Sequence, residues 1–186
     1  MGWIILAIVA AIILILIIYV VSTYNKLVGS RNKVKDQWAQ VDVQLKKRVD
    51  LIPNLVETVK GYASHEKSTL DAVIKARNAF NSANSVEDEI NANNQITGAL
   101  NKLFALSEAY PDLKANTNFL SLQSDLKDIE EKISFARQFY NDTVLAYNNL
   151  IEMFPSNIIA GMFHFKASEF FKVENNEERE APKVSF

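Results

Sequence analysis

The chain has two imidazoles, His65 and His164, and neither has a partner at metal-ligand spacing. His65-Glu66 opens like the helix of a zinc protease, where a second histidine four positions on completes the ligand pair. Position 69 is a threonine. A di-iron bundle needs Glu-x-x-His on facing helices, and the candidate acids Glu57, Glu108, Glu130 and Glu131 have no such histidine. No Gly-x-Ser-x-Gly turn presents a serine nucleophile. Gly29, Gly61, Gly98 and Gly161 stand alone, so no glycine-rich loop cradles a phosphate. The chain has no cysteine, which removes thiolate ligands, cysteine nucleophiles and disulfides together. Tyr110, Tyr140 and Tyr147 with Trp38 suggest a ligand pocket, but at helical spacing they read as core. The residue chemistry points to a non-enzyme, with no catalytic residue, no cofactor and no metal.

The elements are helices. Leu126, Ile133, Tyr140, Tyr147 and Phe154 recur every seven residues, and Leu122, Ile129, Ala136, Thr143 and Leu150 form a second row offset by four. The two rows predict one apolar seam on a helix over 118–154, roughly 55 Å long, stopped by Pro155. Thr143 is the polar member, and its hydroxyl can bond back to its own helix. Val34, Trp38, Val41, Leu45, Ile52, Leu55, Val59 and Tyr62 repeat the logic earlier, and the register continues across Pro53, which predicts one bent helix. The pattern carries on after Gly61 through Leu70, Val73, Ile74, Arg77 and Phe80. Ser85 with Asp88 marks a helix start. The next helix runs from Ile90 through Ile96, Leu100, Leu103 and Leu106 to Tyr110. With five glycines and four prolines, connections are short and neighbouring helices antiparallel. No alternation of period two is long enough for a sheet.

Trp3 to Val21 is an uncharged apolar run of nineteen residues, about 28 Å as a helix and close to the thickness of bilayer hydrocarbon. A cleaved signal peptide is disfavoured. No Lys or Arg opens the run, and Tyr19 to Tyr24 offers bulky residues where a cleavage site wants small ones. A buried soluble helix is disfavoured because nothing in the chain could cover it on all sides. Lys26, Arg31, Lys33 and Lys35 follow the run, so the expected orientation is N-terminus outside and the larger domain on the cytoplasmic side of the membrane. Trp3, Tyr19 and Tyr24 are placed to anchor at the two interfaces. About 165 residues follow, enough for one domain with a core. The formal net charge of −2 gives no basic excess for nucleic acid.

The fold class expected is all-α: a single N-terminal transmembrane helix, then an elongated antiparallel bundle of three or four long helices. The boundaries read as an anchor over 1–24, a helical bundle over 25–157, an apolar segment over 158–173 folded on the bundle end, and a mobile acidic tail over 174–186. Arg48 interrupts the apolar seam and must snorkel outward or find a carboxylate on a facing helix. Asn141 and Asn148 lie one position off the seam and seven apart. They read either as a recognition stripe or, the preferred reading, as interhelical amides that fix register. The candidate partner surface is Arg48, Asp50 and Pro53, where a bend would splay the membrane-proximal half, with Asn141 and Asn148 as the next face.

Several stretches resemble the LemA family of bacterial membrane proteins. They are Tyr24-Asn25-x-Leu27-Val28 with Arg31-Asn32, Trp38-x-Gln40-Val41-Asp42-Val43-Gln44-Leu45-Lys46, and the run from Asp50 through Pro53 to Ala63 with His65-Glu66. Arg77-Asn78, Tyr110 to Asn116, Ala136-Arg137-x-x-Tyr140-Asn141, Tyr147-Asn148, Phe154-Pro155-Ser156-Asn157 and the ending Pro182-Lys183-Val184-x-Phe186 match as well. The resemblance implies a single-pass protein with a cytoplasmic antiparallel helical domain, and it supplies no reaction. Some family members are associated with membrane proteases or membrane-stress proteins, which implies partners of that kind. The function expected is therefore a non-enzymatic interaction or scaffold module bound to the lipid bilayer through residues 3–21. The alternative is a lipid-binding or membrane-remodelling protein that uses the basic juxtamembrane group and the Phe-rich segment 158–171.

Overall fold

The computed structural model describes residues 1–172. The expected tail over 174–186 and the Pro182–Phe186 ending lie outside the described residues. The described chain is all-α: α1 Gly2–Lys60, α2 Lys67–Asn81, α3 Val86–Ser107, α4 Pro111–Lys114, α5 Thr117–Glu152 and α6 Ser156–Met162. It divides into two compact units. The first joins Met1–Gln40 to Arg137–Phe170, and the second is built on Val41–Ala136 with Phe171 and Lys172. α1 and α5 each contribute to both.

α1 is one uninterrupted helix of 59 residues that contains Pro53. Proline lacks the amide that a helix interior uses, and its ring crowds the turn before it. Pro53 sits on the exposed side of α1 while Ile52 and Leu55 face the core, and the carbonyl left without its helical amide is that of Val49, one turn earlier. The helix ends at Lys60, before Gly61, and a short turn leads to α2. The pattern on either side of Gly61 thus belongs to two helices, and Tyr62 falls outside both, on the surface.

The apolar stretch at the start of α1 has a mean hydropathy of 3.6 over its most apolar window, none of which is covered by the rest of the chain. Trp3, Ile4, Ile5 and Leu6 all stand more than half exposed, and as consecutive residues they point to all sides of the helix. A helix that is apolar all round is stable only when apolar material surrounds it. This helix is long and apolar enough to cross a membrane.

In the second unit the buried stripe of α1, Val41, Leu45, Ile52, Leu55 and Val59, belongs to the same core as Leu70 and Val73 of α2, Ile96 and Leu103 of α3 and Phe119, Leu126 and Ile133 of α5. The four residues 82–85 join α2 to α3, which makes them antiparallel neighbours. Ser85 caps α3, its Oγ accepting from the Asp88 amide at 3.1 Å, and Glu87, Asp88 and Glu89 place negative charge on the first turn. Asn116 caps α5 in the same way: its Oδ1 accepts from the Phe119 amide at 3.0 Å.

In the first unit Leu27 and Val34 of α1, Tyr140, Val144 and Tyr147 of α5, and Ile159 and Ala160 of α6 are buried. The row of sevens on α5 is the core row from Leu126 to Tyr147, and it extends back to Phe119. Phe154 departs from it. α5 ends at Glu152, two residues earlier, so the helical register no longer applies, and Phe154 is 78% exposed. The second row is only half buried, and Val144, one position past Thr143, takes the deep place. The Thr143 hydroxyl donates to the Phe139 carbonyl of its own helix at 2.8 Å.

Tyr147, 1% exposed, is the largest buried apolar side chain of this unit, so Tyr147→Ala leaves an aromatic-sized cavity. The expected loss is about 3 kcal/mol, measured by denaturant unfolding of the full chain in detergent micelles. A loss under about 0.5 kcal/mol is what a surface position would give, and it would place the row on the outside.

Candidate functional site

Each unit holds one polar arrangement in its interior. In the second unit it is built on Arg48. Ile52 and Leu45 fix which face of α1 is buried, and Arg48 lies on that face at 1% exposure. Its guanidinium cannot lose its proton, so the fold must surround the charge with acceptors. Nη1 donates to Glu130 Oε2 at 2.6 Å and to Thr97 Oγ1 at 3.1 Å, while Nη2 donates to the Asn93 carbonyl at 3.2 Å and to Asn93 Oδ1. Desolvation pushes the Arg48 pKa down, and the Glu130 carboxylate works against that shift through charge and hydrogen bond. Glu130 itself is half exposed, so water stabilises the anion while the cation is buried. Asn93 and Thr97, one turn apart on α3, complete the set, and the Thr97 hydroxyl also donates to the Asn93 carbonyl at 3.2 Å.

A groove of about 590 Å³ opens beside this cluster, with Arg48, Thr97 and Glu130 as polar lining and Leu100, Phe104, Leu120 and Leu126 as apolar lining. Near the α1–α2 turn a second set ties loops together. The Tyr110 hydroxyl donates to Glu66 Oε1 at 2.9 Å, and Asn116 Nδ2 donates to the Tyr62 hydroxyl at 2.9 Å. The hydrogen bond to Glu66, then burial, raises the Tyr110 pKa. Glu66 therefore serves as a loop clasp. Among the described residues no group of three or more His, Asp or Glu side chains is placed to hold a metal ion.

In the first unit the chain after α6 is strapped to α5. The Tyr147 hydroxyl donates to the Lys166 carbonyl at 3.1 Å and the Tyr140 hydroxyl to the Glu169 carbonyl at 2.9 Å. Asn148 makes a two-bond clamp on Ser168: Nδ2 donates to its carbonyl and Oδ1 accepts from its amide, both at 2.9 Å. The strap starts where His164, at φ 55°, reverses the chain, and the Phe165 amide donates back to the Ala160 carbonyl at 2.9 Å. That is the helix ending in which glycine normally takes the left-handed place. Beyond the turn, Phe165 lies against Tyr24, and the Arg31 guanidinium stands 5.2 Å from its ring centroid. Trp38 meets Tyr140 edge to face at 5.2 Å.

The sequence-derived candidates thus separate. Arg48 is interior at the edge of the groove, with its guanidinium committed to Glu130, Thr97 and Asn93. Asp50 and Pro53 are exposed on α1, and Asp50 pairs with Lys46 at 3.5 Å. Asn148 holds a backbone strap instead of a neighbouring helix, and Asn141 is half buried on the same helix. Asn93 and Thr97 escaped sequence reading. Their signal was a pair of polar residues four apart on the apolar face that carries Ile90, Ile96 and Leu100.

These features define an all-α protein whose first helix carries a stretch able to cross a membrane and then packs into a helical core. The LemA family model matches residues 37–186, and the chain belongs to the LemA family. The match begins after the apolar stretch. The chain is 25% identical to Protein LemA of Metamycoplasma hominis over 163 residues, covering 81% of this chain and 72% of that protein. It is also 31% identical over 74 residues to Magnetosome protein MamQ 2 of Paramagnetospirillum magneticum, covering 40% of this chain and 27% of that protein. Magnetosome protein MamQ of Magnetospirillum gryphiswaldense is 30% identical over 73 residues, again 27% of its length.

Removing one partner of a buried pair costs more than replacing the buried charge with an apolar side chain of similar volume. Glu130→Ala should cost about 2 kcal/mol, less than for a fully buried pair because Glu130 is half solvated. Arg48→Met should cost under about 1 kcal/mol by the same unfolding measurement. The opposite order would mean that Arg48 contributes chiefly through its own contacts.

Burial, then the nearby Glu169 charge, raises the Tyr140 pKa to about 12. An unfolded tyrosine ionises near 10. The folded state therefore prefers the neutral phenol, and that contribution is complete below about pH 10 and lost as pH rises to about 12. Stability measured across this window should fall in the native chain and fall less steeply in Tyr140→Phe. Some slope should remain, because burial raises the Tyr147 pKa as well, against the opposing charge of Arg31.

Proposed function

We propose that this LemA-family protein is a membrane-anchored, non-enzymatic interaction module at the inner face of a bacterial membrane, with its N-terminus outside. The observation that carries the reading is the continuity of α1. The helix that bears the apolar stretch is the same helix that supplies Leu45, Arg48, Ile52 and Leu55 to the folded core. A domain attached in this way is held at the bilayer by a helix instead of a flexible linker. Lys26, Arg31, Lys33 and Lys35 support the cytoplasmic orientation through the preference of basic flanks for that side. The groove beside Arg48 is of a size that takes a small ligand or a few apolar side chains of a bound segment. Its apolar walls and charged rim suit an amphipathic segment of another membrane protein. A second reading, direct lipid contact by the region after α5, is favoured by the large apolar side chains that stand exposed there.

The chain has no cysteine of its own, so one introduced thiol reports cleanly. Ser121→Cys, on the exposed side of α5, should resist a membrane-impermeant thiol reagent in intact cells and react after lysis. Ready labelling of intact cells would overturn the orientation. A photocrosslinker at Gln123, which lines the groove, should capture a membrane protein in intact membranes, and Ser124→Trp on the same lining should abolish the capture. Capture that is indifferent to Ser124→Trp would move the partner surface elsewhere.

A further inference from the structure

Met153 to Phe163, the turn after α5 together with α6, runs eleven residues without a charge. Its inner side is used: Ile159 and Ala160 are buried against Leu27 of α1, with Val20 packed on the same cluster. Its outer side is not. Phe154, Ile158 and Met162 stand 78%, 53% and 64% exposed, with Met153 exposed beside them, while Phe163 leans its ring on Tyr24 at 4.7 Å between centroids. His164 then turns the chain back, so that Phe165 returns to Tyr24 and α6 is left projecting.

The position along α1 says what covers this surface. Val20 is the next-to-last residue of the apolar run, and Leu27 lies about 10 Å further along the helix axis. α6 is therefore level with the end of the stretch that crosses the bilayer, the depth at which acyl chains meet headgroups. Apolar side chains exposed at that depth face hydrocarbon instead of water, and amphipathic segments with such faces rest in that zone. Tyr24 and Lys26 mark the same level with groups suited to headgroups. Between α1 and the turn lies a cleft of about 360 Å³, lined by Tyr19, Lys26, Met153 and Phe154 among others. That is the lining an acyl-chain end under a headgroup would meet.

We propose that the α5–α6 turn and α6 form a second membrane contact, an uncharged apolar knob seated in the acyl–headgroup boundary of the bilayer that Trp3–Val21 crosses. The proposal deepens the lipid-contact reading and rests on that span. Because the knob carries no charge, its contact depends on apolar insertion and not on anionic lipid.

The test is nitroxide accessibility on the full chain reconstituted in phosphatidylcholine vesicles. Single labels go at Ile12→Cys in the span, Ile158→Cys on α6 and Asp142→Cys on an exposed face of α5 in the same unit. Collision with oxygen should exceed collision with a water-soluble nickel chelate several-fold at positions 12 and 158, and the ratio should reverse at 142. Adding phosphatidylglycerol should leave the value at 158 unchanged. A label at 158 that reads like 142 while 12 reads lipid overturns the knob and leaves the span intact. A label at 158 shielded from both reagents means that protein, such as a second copy, covers the patch, and this also overturns the proposal. If 12 itself reads water, the span reading and the knob fail together.

Discussion

One buried cation organises the helical core of the second unit. Arg48 lies on the face of α1 that packing demands be apolar, and its charge cannot be discharged by losing a proton. The fold answers with acceptors from two other helices: Asn93 and Thr97 of α3 and Glu130 of α5. A planar guanidinium accepts partners only in fixed directions, so sliding any of these helices by one turn would leave the charge without them. Apolar contacts in the same core tolerate more displacement. Leu, Ile and Val supply the bulk of the cohesion, and Arg48 supplies the register.

The first unit solves a different problem, that of ordering a segment with no regular structure. Residues 166–170 make no helix or strand, and their backbone groups find partners in side chains. Tyr140 and Tyr147, seven apart on α5, each have an apolar body in the core and a hydroxyl that reaches the segment, and Asn148 offers it an amide that bonds much as a neighbouring strand would. The same tyrosines that fill the seam therefore hold the strap. Arg31 connects this arrangement to the basic group after the apolar run through the ring of Phe165.

Family membership and architecture meet at α1. The matched family region starts at residue 37, and α1 starts at Gly2 and runs through that point without a break. The apolar stretch and the first part of the family region thus lie on one helix.

Residue type and spacing determined the all-α class, the seam from Leu126 to Tyr147, the cap at Ser85, the bond of Thr143 to its own helix and the length of the apolar run. Those features follow from spacing along one helix, which a linear sequence records directly. That Arg48 must either snorkel outward or find a carboxylate was legible because a charge on an apolar face must be satisfied; that it stays inside was not. Which carboxylate was not legible, because Glu130 is distant in sequence and looks like any other surface acid. Asn93 and Thr97 were hidden in the same way. Phe154 kept its seven-residue spacing in sequence and lost its meaning once α5 ended at Glu152. Asn148 advertised a polar role, but only the folded chain shows that it serves the backbone of Ser168. Tertiary structure decided these matters because a hydrogen-bond partner is chosen by proximity in space, and the pattern within one helix carries no record of what packs against it.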